Sequence, residues 1–575
     1  MSLLDLPDET LLHILCRTKP ASIAKCRQVC RFLWKLIDAS AELHYLIELE
    51  RLGYVPPAQP RLDLTYNEKI ELLRTHKSNW DSISTIKPTR YRLQTSSVGF
   101  TSTYDFYGGV YARGSTLNSL GSATRRMELY QLASVNKGTE YKQWVHEDIG
   151  VDTRDFAMEP DFDLLVLLEL SEQKPIIGAT TQGAPNIQQF FNVHLRSLRT
   201  CGPHPDATRP IINHSLCTFG RTSWSFYFQI VGKYLAVMFL TGIDQQDENH
   251  TSQLRVWDWT TGNEVTYVDI VSAQSRSFAF LSDQLIVLPR QVANTGRSRS
   301  NTARGLGMLN LFTFDPPNGS SPAPHARHIA TLGLPPLPDD VMSISNLSCR
   351  SDPAPSPSTQ SASWDRRRPR LFELAPTNRI LCLRTELTVI DTTRGQFAIS
   401  DGTLFVPFMD ILDAAAHLYK QSEPTEIPWD DWAQKTTWLD TSELHTGNEC
   451  YVFGQRVVTT GLDTSNQDND GEEDDIPQRR SIAMLDFEPA RLSLRTELLD
   501  PQHEAILADL SDHDILWQTF LGEGVERKAN TPLAIQTSRI RQRLTSAFYV
   551  MIDDEHIVLV LSRLGVESQL LVYSF

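Results

Sequence analysis

Short apolar runs separated by turn-forming residues recur from about residue 90 to residue 575, and this pattern constrains the fold more than any other feature of the sequence. The clearest unit is QLRVWDWTTGNEVTYVDI at 253–270, in which LRVWDW reads as a strand and TTGN as a hairpin turn. Short runs that are bounded by turn residues and rich in β-branched and aromatic side chains are typical of strands. The pattern predicts an all-β region over most of the chain.

Several of these units resemble blades of a WD-type propeller. The pair Trp257-Asp258 ends one strand, and related strand-and-turn fragments recur at 161–205, 278–289, 307–316, 379–408, 450–489 and 547–575. The resemblance implies a degenerate, WD-repeat-like β-propeller of about six to eight blades over residues 90–575. Two stacked β-sandwich domains are the alternative fold.

The first 50 residues differ from the rest and predict three short helices. Pro7 and Pro20 each suit the first turn of a helix, where the missing N–H costs nothing. A third helix is predicted over 30–38, with Leu33, Leu36 and Ile37 on one face. A unit this small rarely buries enough apolar area to be stable alone. Its surplus of apolar side chains must therefore be buried, either against the rest of the chain or against another protein.

The segments LPDETLLHIL and KPASIAKCRQVCRFLWKLI resemble an F-box. Leu33 occupies a position that is often aromatic in that family, and Trp34 follows it. The resemblance implies that residues 1–50 form an F-box domain that binds the Skp adaptor of a cullin–RING ubiquitin ligase. A helical cap with a self-contained core is the alternative. The positions carried over as adaptor-facing or supporting are Leu6, Pro7, Leu11, Ile14, Leu15, Ile23 and Val29.

Residues 51–89 are predicted to form a helical connector, with one helix over 65–83. This helix suits both a rigid spacer and a helix packed on the next domain. A further helix is predicted over 409–421, between strands. Three insertions in the β region, near 293–305, 351–370 and 464–480, are rich in Pro, Ser or charged residues and are expected to be disordered loops.

Composition argues against several classes of partner. The formal net charge is -16, and an acidic surface repels the phosphates of nucleic acids. The longest apolar runs are far shorter than the ~20 residues of a membrane-spanning helix, and no secretory leader is evident. The sequence thus predicts an intracellular protein, cytoplasmic or nuclear, that binds neither nucleic acid nor membrane.

No catalytic motif is present in the sequence. HExxH, G-x-S-x-G and the P-loop are absent, and the eight cysteines form no CxxC pair. His194 and His204 flank a turn without a third metal ligand. We therefore expect no catalytic residue, no cofactor and no metal. A hydrolase whose residues come from distant propeller loops stays open on sequence alone.

The combination of an F-box, a connector and a propeller-like region resembles F-box proteins of large fungal families. It implies an α plus all-β multidomain chain that acts as the substrate-recognition subunit of a Skp–cullin–F-box ubiquitin ligase. The expected partners are the Skp adaptor, the cullin–RING ligase core and a target protein that the sequence does not identify. A scaffold without a ubiquitin role and a propeller hydrolase are the alternatives.

Overall fold

The fold is taken from a computed structural model that describes most of the chain. The described residues are 6–93, 100–117, 123–181, 184–219, 223–241, 251–271, 275–291, 305–315, 324–337, 341–355, 368–391, 396–419, 421, 423–433, 436–440, 444–445, 451–462, 480–487, 536–544, 549–563 and 566–575. The acidic run at 468–475 and most of the insertions predicted near 293–305 and 464–480 lie outside them.

Among the described residues, five α-helices lie before the β region, and local signals set their ends. They are α1 (Asp8–Cys16), α2 (Pro20–Cys26), α3 (Arg31–Asp38), α4 (Ala41–Arg51) and α5 (Tyr66–Asp81). Four of them begin within the first 50 residues, where three were predicted; α4 is the additional one. Pro7 and Pro20 stand at the starts of α1 and α2, as predicted. Thr65 and Glu68 form a capping box at the start of α5, where each side chain bonds the other's backbone N–H. The connector helix predicted over 65–83 is therefore confirmed.

Strands fill most of the remaining described residues. Before the first blade come β1 (Tyr54–Val55) and β2 (Thr89–Arg92). Blade 1 contains β3 (Phe100–Tyr107), β4 (Val110–Ser115), β5 (Arg126–Gln131) and β6 (Lys142–His146). Blade 2 contains β7 (Thr153–Glu159), β8 (Leu164–Thr181), β9 (Ala184–Ser197) and β10 (Ile211–Phe219). Blade 3 contains β11 (Trp224–Val231), β12 (Tyr234–Thr241), β13 (Thr251–Asp258) and β14 (Asn263–Val271).

The later blades carry the additional elements. Blade 4 contains β15 (Ala279–Phe280), β16 (Leu285–Arg290), β17 (Met308–Thr313) and β18 (Arg327–Gly333). Blade 5 contains β19 (Val341–Arg350), β21 (Ile380–Asp391), β22 (Gln396–Pro407) and β24 (Thr437–Asp440), with β20 (Glu373–Leu374), α6 (Phe408–Ala415) and α7 (Trp429–Trp432) inserted between them. The strand β23 (Thr425–Ile427) also lies between β22 and β24 in the chain, but it pairs parallel with β18 as a fifth strand of blade 4. Blade 6 contains β25 (Leu444–His445), β26 (Val452–Phe453), β27 (Arg456–Leu462), β28 (Arg480–Asp486) and β29 (Gln536–Leu544). Blade 7 contains β30 (Tyr549–Ile552), β31 (His556–Arg563) and β32 (Val566–Ser574).

Blade 7 is completed by a strand from the other end of the β region. β2 pairs antiparallel with β32, with Thr89 opposite Val572 and Arg92 opposite Gln569. This pairing closes the ring and removes the free edges of an open sheet. The structure thus has a seven-bladed β-propeller behind the N-terminal helices, within the predicted range of six to eight blades.

The core of the propeller lies between neighbouring blades. The second strand of a blade is packed on both faces, so the run from Leu164 to Leu168 and the run from Leu235 to Phe239 are completely buried. Separate apolar clusters join blades 1 and 2, 2 and 3, 3 and 4, and so on around the ring to blades 7 and 1. The alternative of two stacked sandwiches is therefore wrong.

The local predictions for blade 3 and for the inserted helix are confirmed. β13 ends at Asp258, whose carboxylate accepts from Thr260 N (3.1 Å) and Thr260 Oγ1 (2.6 Å) at the start of the predicted turn. Gly262 follows with φ +70°, a left-handed conformation that glycine adopts without strain. The helix predicted over 409–421 is the shorter α6.

The expectation of disorder over 351–370 fails at both ends of that segment. Ser351 is 2% exposed, and Pro353 lines a cavity at the centre of the propeller. Arg370 forms an ion pair with Asp161 of blade 2. Composition suggested a solvated loop, but these end residues are packed into the fold. Residues 356–367 lie outside the described part of the chain.

Candidate functional site

The N-terminal helices have a small core of their own. Leu15 of α1 and Ile23 of α2 pack with Ile37 of α3 and Leu43 of α4, and all four side chains are buried. Leu11 is also buried, with 2% of its surface exposed. Three of the residues predicted as adaptor-facing or supporting, Leu11, Leu15 and Ile23, are therefore buried in the helical unit.

A second set of large apolar side chains on the same helices is exposed. Val29, in the turn between α2 and α3, is 71% exposed, and Ile14 of α1 is 38% exposed. Trp34 and Phe32 of α3 are 46% and 41% exposed. Large apolar side chains concentrated on one small unit are typical of an interaction surface. We call Ile14, Val29, Phe32 and Trp34 the exposed apolar set.

Only part of this set was predicted from the sequence. Of the remaining predicted positions, Ile14, Val29 and Pro7 are exposed and Leu6 is half-buried. Phe32 and Trp34 were not among the predicted positions. The signal that could have found them is helical spacing: Leu33 and Ile37 take the buried face of α3, which places the residues on either side of Leu33 away from the core.

An ion pair holds the turn that carries Val29. Arg27 donates from Nε to Asp38 Oδ1 at 2.6 Å and from Nη2 to Asp38 Oδ2 at 3.1 Å, across the turn to the end of α3. The hydrogen bonds from Arg27 hold the pKa of Asp38 below its usual value. The bidentate geometry fixes the orientation of the turn more than it adds to stability, because both side chains are solvent-accessible.

The helices are joined to the propeller through residues 368–379, which we call the strap. Its strand β20 pairs antiparallel with β1, and Tyr45 of α4 donates to the carbonyl of Leu371. On the propeller side, Asn136 of blade 1 accepts through Oδ1 from the backbone N–H groups of Leu371 (2.9 Å) and Phe372 (3.1 Å). The strap is thus bonded to both units and fixes one against the other.

Apolar contacts seal the same junction. Tyr45 and Leu49 of α4 and Leu73 of α5 pack with Leu371 and Phe372 of the strap in one buried cluster. The connector helix is therefore packed on the propeller. A rigid spacer and a packed helix were both predicted as possibilities, and these contacts agree with the packed helix.

Trp80, at the end of α5, anchors the connector to blade 7 and blade 6. Its ring stacks on Phe575, with centroids 3.8 Å apart and planes 15° apart, and the guanidinium of Arg456 lies 4.4 Å from its ring centre. The indole N–H donates to the carbonyl of Asp554 at 3.3 Å. Trp80 is 1% exposed, so almost all its surface is committed to these contacts.

A buried polar cluster lies beneath the junction, in the first turn of blade 7. Glu555 accepts from the backbone N–H groups of Val135 (2.8 Å) and Asn136 (2.9 Å), and Asp554 accepts from Asn136 Nδ2 (2.8 Å). His556 Nδ1 lies 3.0 Å from Asp553 Oδ1. Burial raises the pKa of Glu555 to about 7. Asn136 therefore links this cluster to the strap.

The helices occupy one face of the propeller. The turns between the first and second strands of several blades, which contain Gly108, Asp161, Gly232 and Asp554, line one central cavity together with Tyr54 of β1. We call this the connector face. Because successive strands of a blade are antiparallel, the second-to-third strand connections lie on the opposite, distal face.

Two long hairpins extend towards the distal face. β8 and β9 of blade 2 have 18 and 14 residues, and β21 and β22 of blade 5 have 12 each, whereas β12 of blade 3 has 8. On the distal part of β22, Phe397 and Ile399 are each 71% exposed. These two side chains stand on the same side of the strand, since they are two residues apart.

The histidines that flank the predicted turn serve local structure. His194 Nε2 lies 3.0 Å from Glu169 Oε2, and His204 Nε2 donates to the carbonyl of Phe162 at 2.9 Å. Within the described ranges, no group of three or more His, Cys, Asp or Glu side chains could hold a metal ion. None of the helices in the described part of the chain is long and apolar enough to cross a membrane.

Comparison with protein families identifies a domain at the N-terminal helices. The F-box-like family model matches residues 3–44, which span α1 to α3 and the start of α4. A comparison with curated proteins finds no match. The matched segment contains all four residues of the exposed apolar set.

Proposed function

We propose that this chain, an F-box-like domain at residues 3–44 joined to a seven-bladed β-propeller, is the substrate-recognition subunit of a Skp–cullin–F-box ubiquitin ligase. F-box domains in general bind Skp-type adaptors, and an F-box with a propeller fits a substrate receptor. In this proposal the receptor is a cytoplasmic or nuclear protein without catalytic residues, cofactor or metal. Its contribution is to hold a target close to the ligase.

The observation that carries the proposal is the exposed apolar set on a helical unit that is otherwise packed. The buried residues Leu11, Leu15 and Ile23 hold the helices together, and Val29 and Trp34 remain outside that core. We assign Pro7, Ile14, Val29, Phe32 and Trp34 to the adaptor contact. Aromatic residues that become buried at an interface commonly dominate its binding energy.

The contacts at the junction support the proposal that the propeller binds the target protein. The strap and Trp80 fix the helices on the connector face, so an adaptor on the helices leaves the distal face for a target. We propose that the target protein binds there, with Phe397 and Ile399 of blade 5 in contact with it. A fixed geometry would give the target lysines a defined position relative to the ligase.

Adaptor binding is tested with one interface variant and a matched control. Val29→Asp should abolish co-purification of the Skp adaptor with the full chain, since it places a charge in the centre of an apolar interface. Leu62→Asp is the control, because Leu62 is 90% exposed and lies outside the matched segment. Equal recovery of the adaptor with Val29→Asp and the wild type would refute the F-box assignment.

Target binding is tested by affinity capture of the full chain while ligase activity is blocked. The proposal expects captured proteins that disappear with the double variant Phe397→Ser, Ile399→Ser but persist with Val29→Asp. These proteins should lose ubiquitin and accumulate when the chain is deleted. An adaptor-bound chain whose captured proteins keep their ubiquitin would instead support the scaffold alternative.

A further inference from the structure

The central cavity at the connector face contains hydrogen-bond donors that have no partner. It has a volume of about 80 Å³, and residues of the strap and of the first turns of the blades line it. A water molecule takes roughly 30 Å³ of liquid volume. The cavity therefore has room for two or three waters or for one small tetrahedral ion.

Arg379, at the end of the strap, is the most unusual residue of this cavity. Only 1% of it is exposed, and its Nε and Nη1 have no hydrogen-bond partner among the described residues. Burial lowers the pKa of Arg379 to about 10, so the side chain still carries its charge at neutral pH. A buried charged group with two unsatisfied donors is costly, and a bound ion is one of the few explanations for it.

The acids that line the cavity already have partners. Asp161 pairs with Lys137 (3.2 Å) and with Arg370, and Asp554 accepts from Asn136. The same applies to the remaining two acids: Glu373 accepts from Ala58 N (3.1 Å), and Glu159 accepts from Asp161 N (3.4 Å). Asp352, which is also near Arg379, is paired with Arg350 at 2.7 Å. None of these hydrogen bonds satisfies the guanidinium of Arg379.

Two further donors point to the same type of ligand. The hydroxyl oxygen of Tyr107 accepts from Ala354 N (3.3 Å), which leaves its O–H to donate, and Nε of Arg370 has no partner in the described part of the chain. Both residues line the cavity. Among the buried side-chain oxygens that line the cavity in the described residues, Oδ1 of Asp161 also has no hydrogen bond, although it lies 3.2 Å from Lys137 Nζ in an ion pair. A ligand rich in acceptors with one O–H group would match this set.

We propose that the cavity binds a small oxyanion of the hydrogen phosphate class, held by Arg379 with Tyr107 and Arg370. The planar guanidinium suits such an anion because it can donate two parallel hydrogen bonds. The protonated oxygen of hydrogen phosphate can donate to Asp161. Because Tyr54 and the strap wall the cavity, the anion braces the junction between the helices and the propeller, a role independent of adaptor and target binding.

The test is calorimetric titration of the full chain with inorganic phosphate, at constant ionic strength, together with the melting temperature. The wild type should bind phosphate and melt at a higher temperature when it is present. Arg379→Gln should weaken binding at least a hundredfold, since it removes charge-assisted hydrogen bonds, and Tyr107→Phe should weaken it about tenfold. Tyr107→Phe keeps the test valid if Arg379→Gln fails to fold.

Arg113→Gln is the matched control. Arg113 is also buried, at 7% exposure, but its Nε donates to Glu128 at 2.8 Å. Arg113→Gln should lower the melting temperature in phosphate-free buffer and leave phosphate affinity within about twofold of the wild type, whereas Arg379→Gln should not lower that melting temperature. The proposal is overturned if the wild type shows no phosphate binding or if Arg379→Gln and Tyr107→Phe bind as the wild type does. Methyl phosphate that binds as tightly as phosphate would overturn the assignment to a free ion.

Discussion

Two tryptophans on the helical part of this chain have opposite environments. Trp80, at the end of α5, is 1% exposed, stacked on Phe575 and covered by Arg456. Trp34, in α3, is 46% exposed. Both side chains stand on helices with apolar side chains, α3 of 8 residues and α5 of 16. The difference is the partner: the propeller covers Trp80, and we propose that an adaptor protein covers Trp34.

The helices that carry these two tryptophans differ in the same way. The apolar side chains of α4 and α5 complete a cluster with the strap, whereas the exposed apolar set of α1 to α3 contributes to none of the buried clusters of the described chain. Burial of these side chains therefore couples the stability of the connector to that of the propeller. The F-box-like helices keep an unsatisfied surface, which is what a binding module requires.

The largest expected effect comes from removing the covered tryptophan. Trp80→Ala should lower the free energy of unfolding by about 3–5 kcal/mol, because it leaves a cavity where a large buried ring packed. Chemical denaturation of the full chain measures the loss. Trp34→Ala is the matched control and should change the free energy of unfolding by less than about 0.5 kcal/mol. Similar losses of unfolding free energy for both variants would mean that Trp80 stabilises the fold no more than Trp34 does.

The pH dependence of the free energy of unfolding tests the buried polar cluster at the junction. Burial lowers the pKa of His556, but the charge of Asp553 and the hydrogen bond to it more than offset this and raise that pKa to about 9. A raised pKa contributes stability that is complete below the unfolded value of 6.5 and is lost as the pH rises towards 9. Between pH 6.5 and 8 the wild type should therefore lose roughly 2 kcal/mol more than His556→Gln.

The window ends at pH 8 because Lys137, in the same region, acts in the opposite direction above it. Burial lowers the pKa of Lys137 to about 8, so its contribution grows as the pH rises further. The measurement is the free energy of unfolding of both proteins against pH. Parallel curves from pH 6.5 to 8 would show that the His556–Asp553 pair does not stabilise the junction.

Affinity for the Skp adaptor should depend on Trp34 rather than on Trp80. Trp34→Ala should weaken affinity for the Skp adaptor by about 2 kcal/mol, or roughly thirtyfold, as for a central aromatic residue of an interface. Calorimetry with purified adaptor gives the affinity. Gln28→Ala, an exposed neighbour in the same segment, should bind within about twofold of the wild type. An unchanged affinity for Trp34→Ala would place the adaptor elsewhere on the helices.

The smallest effect concerns the backbone that links α4 to the strap. Gly53 has φ +74°, and an added Cβ would approach Asn378 Nδ2 of the strap to 2.1 Å. Gly53→Ala should therefore cost about 1 kcal/mol of stability or more. Gly150→Ala is the control, because Gly150 has φ +78° with nothing within 4 Å of the added Cβ. An equal loss for the two variants would mean that the contact with the strap is not significant.

The elements that the sequence predicted well are those with local signals. Pro7 and Pro20 mark helix starts, and the Trp257-Asp258 strand with its glycine-containing turn forms as expected. The F-box-like segment was found for the same reason, because its residues are close together in the chain. These signals need no knowledge of distant contacts.

The features that the sequence missed depend on distant contacts. The closure of blade 7 pairs Thr89 with Val572, and the strap connects blade 1, blade 5 and α4. The site at Arg379 is visible only after the acids around it are seen to be paired elsewhere. The exposure of Phe32 and Trp34 is different, because the helical spacing of Leu33 and Ile37 on the buried face of α3 could have predicted it.

Oxidative footprinting of the two tryptophans, with and without purified Skp adaptor, shows whether an adaptor covers Trp34. Hydroxyl radicals modify a tryptophan in proportion to its solvent exposure, and mass spectrometry reports each site separately. We expect Trp34 to be reactive in the free chain and protected in the complex, and Trp80 to be unreactive in both. A stable complex in which Trp34 stays as reactive as in the free chain would mean that the adaptor does not cover Trp34.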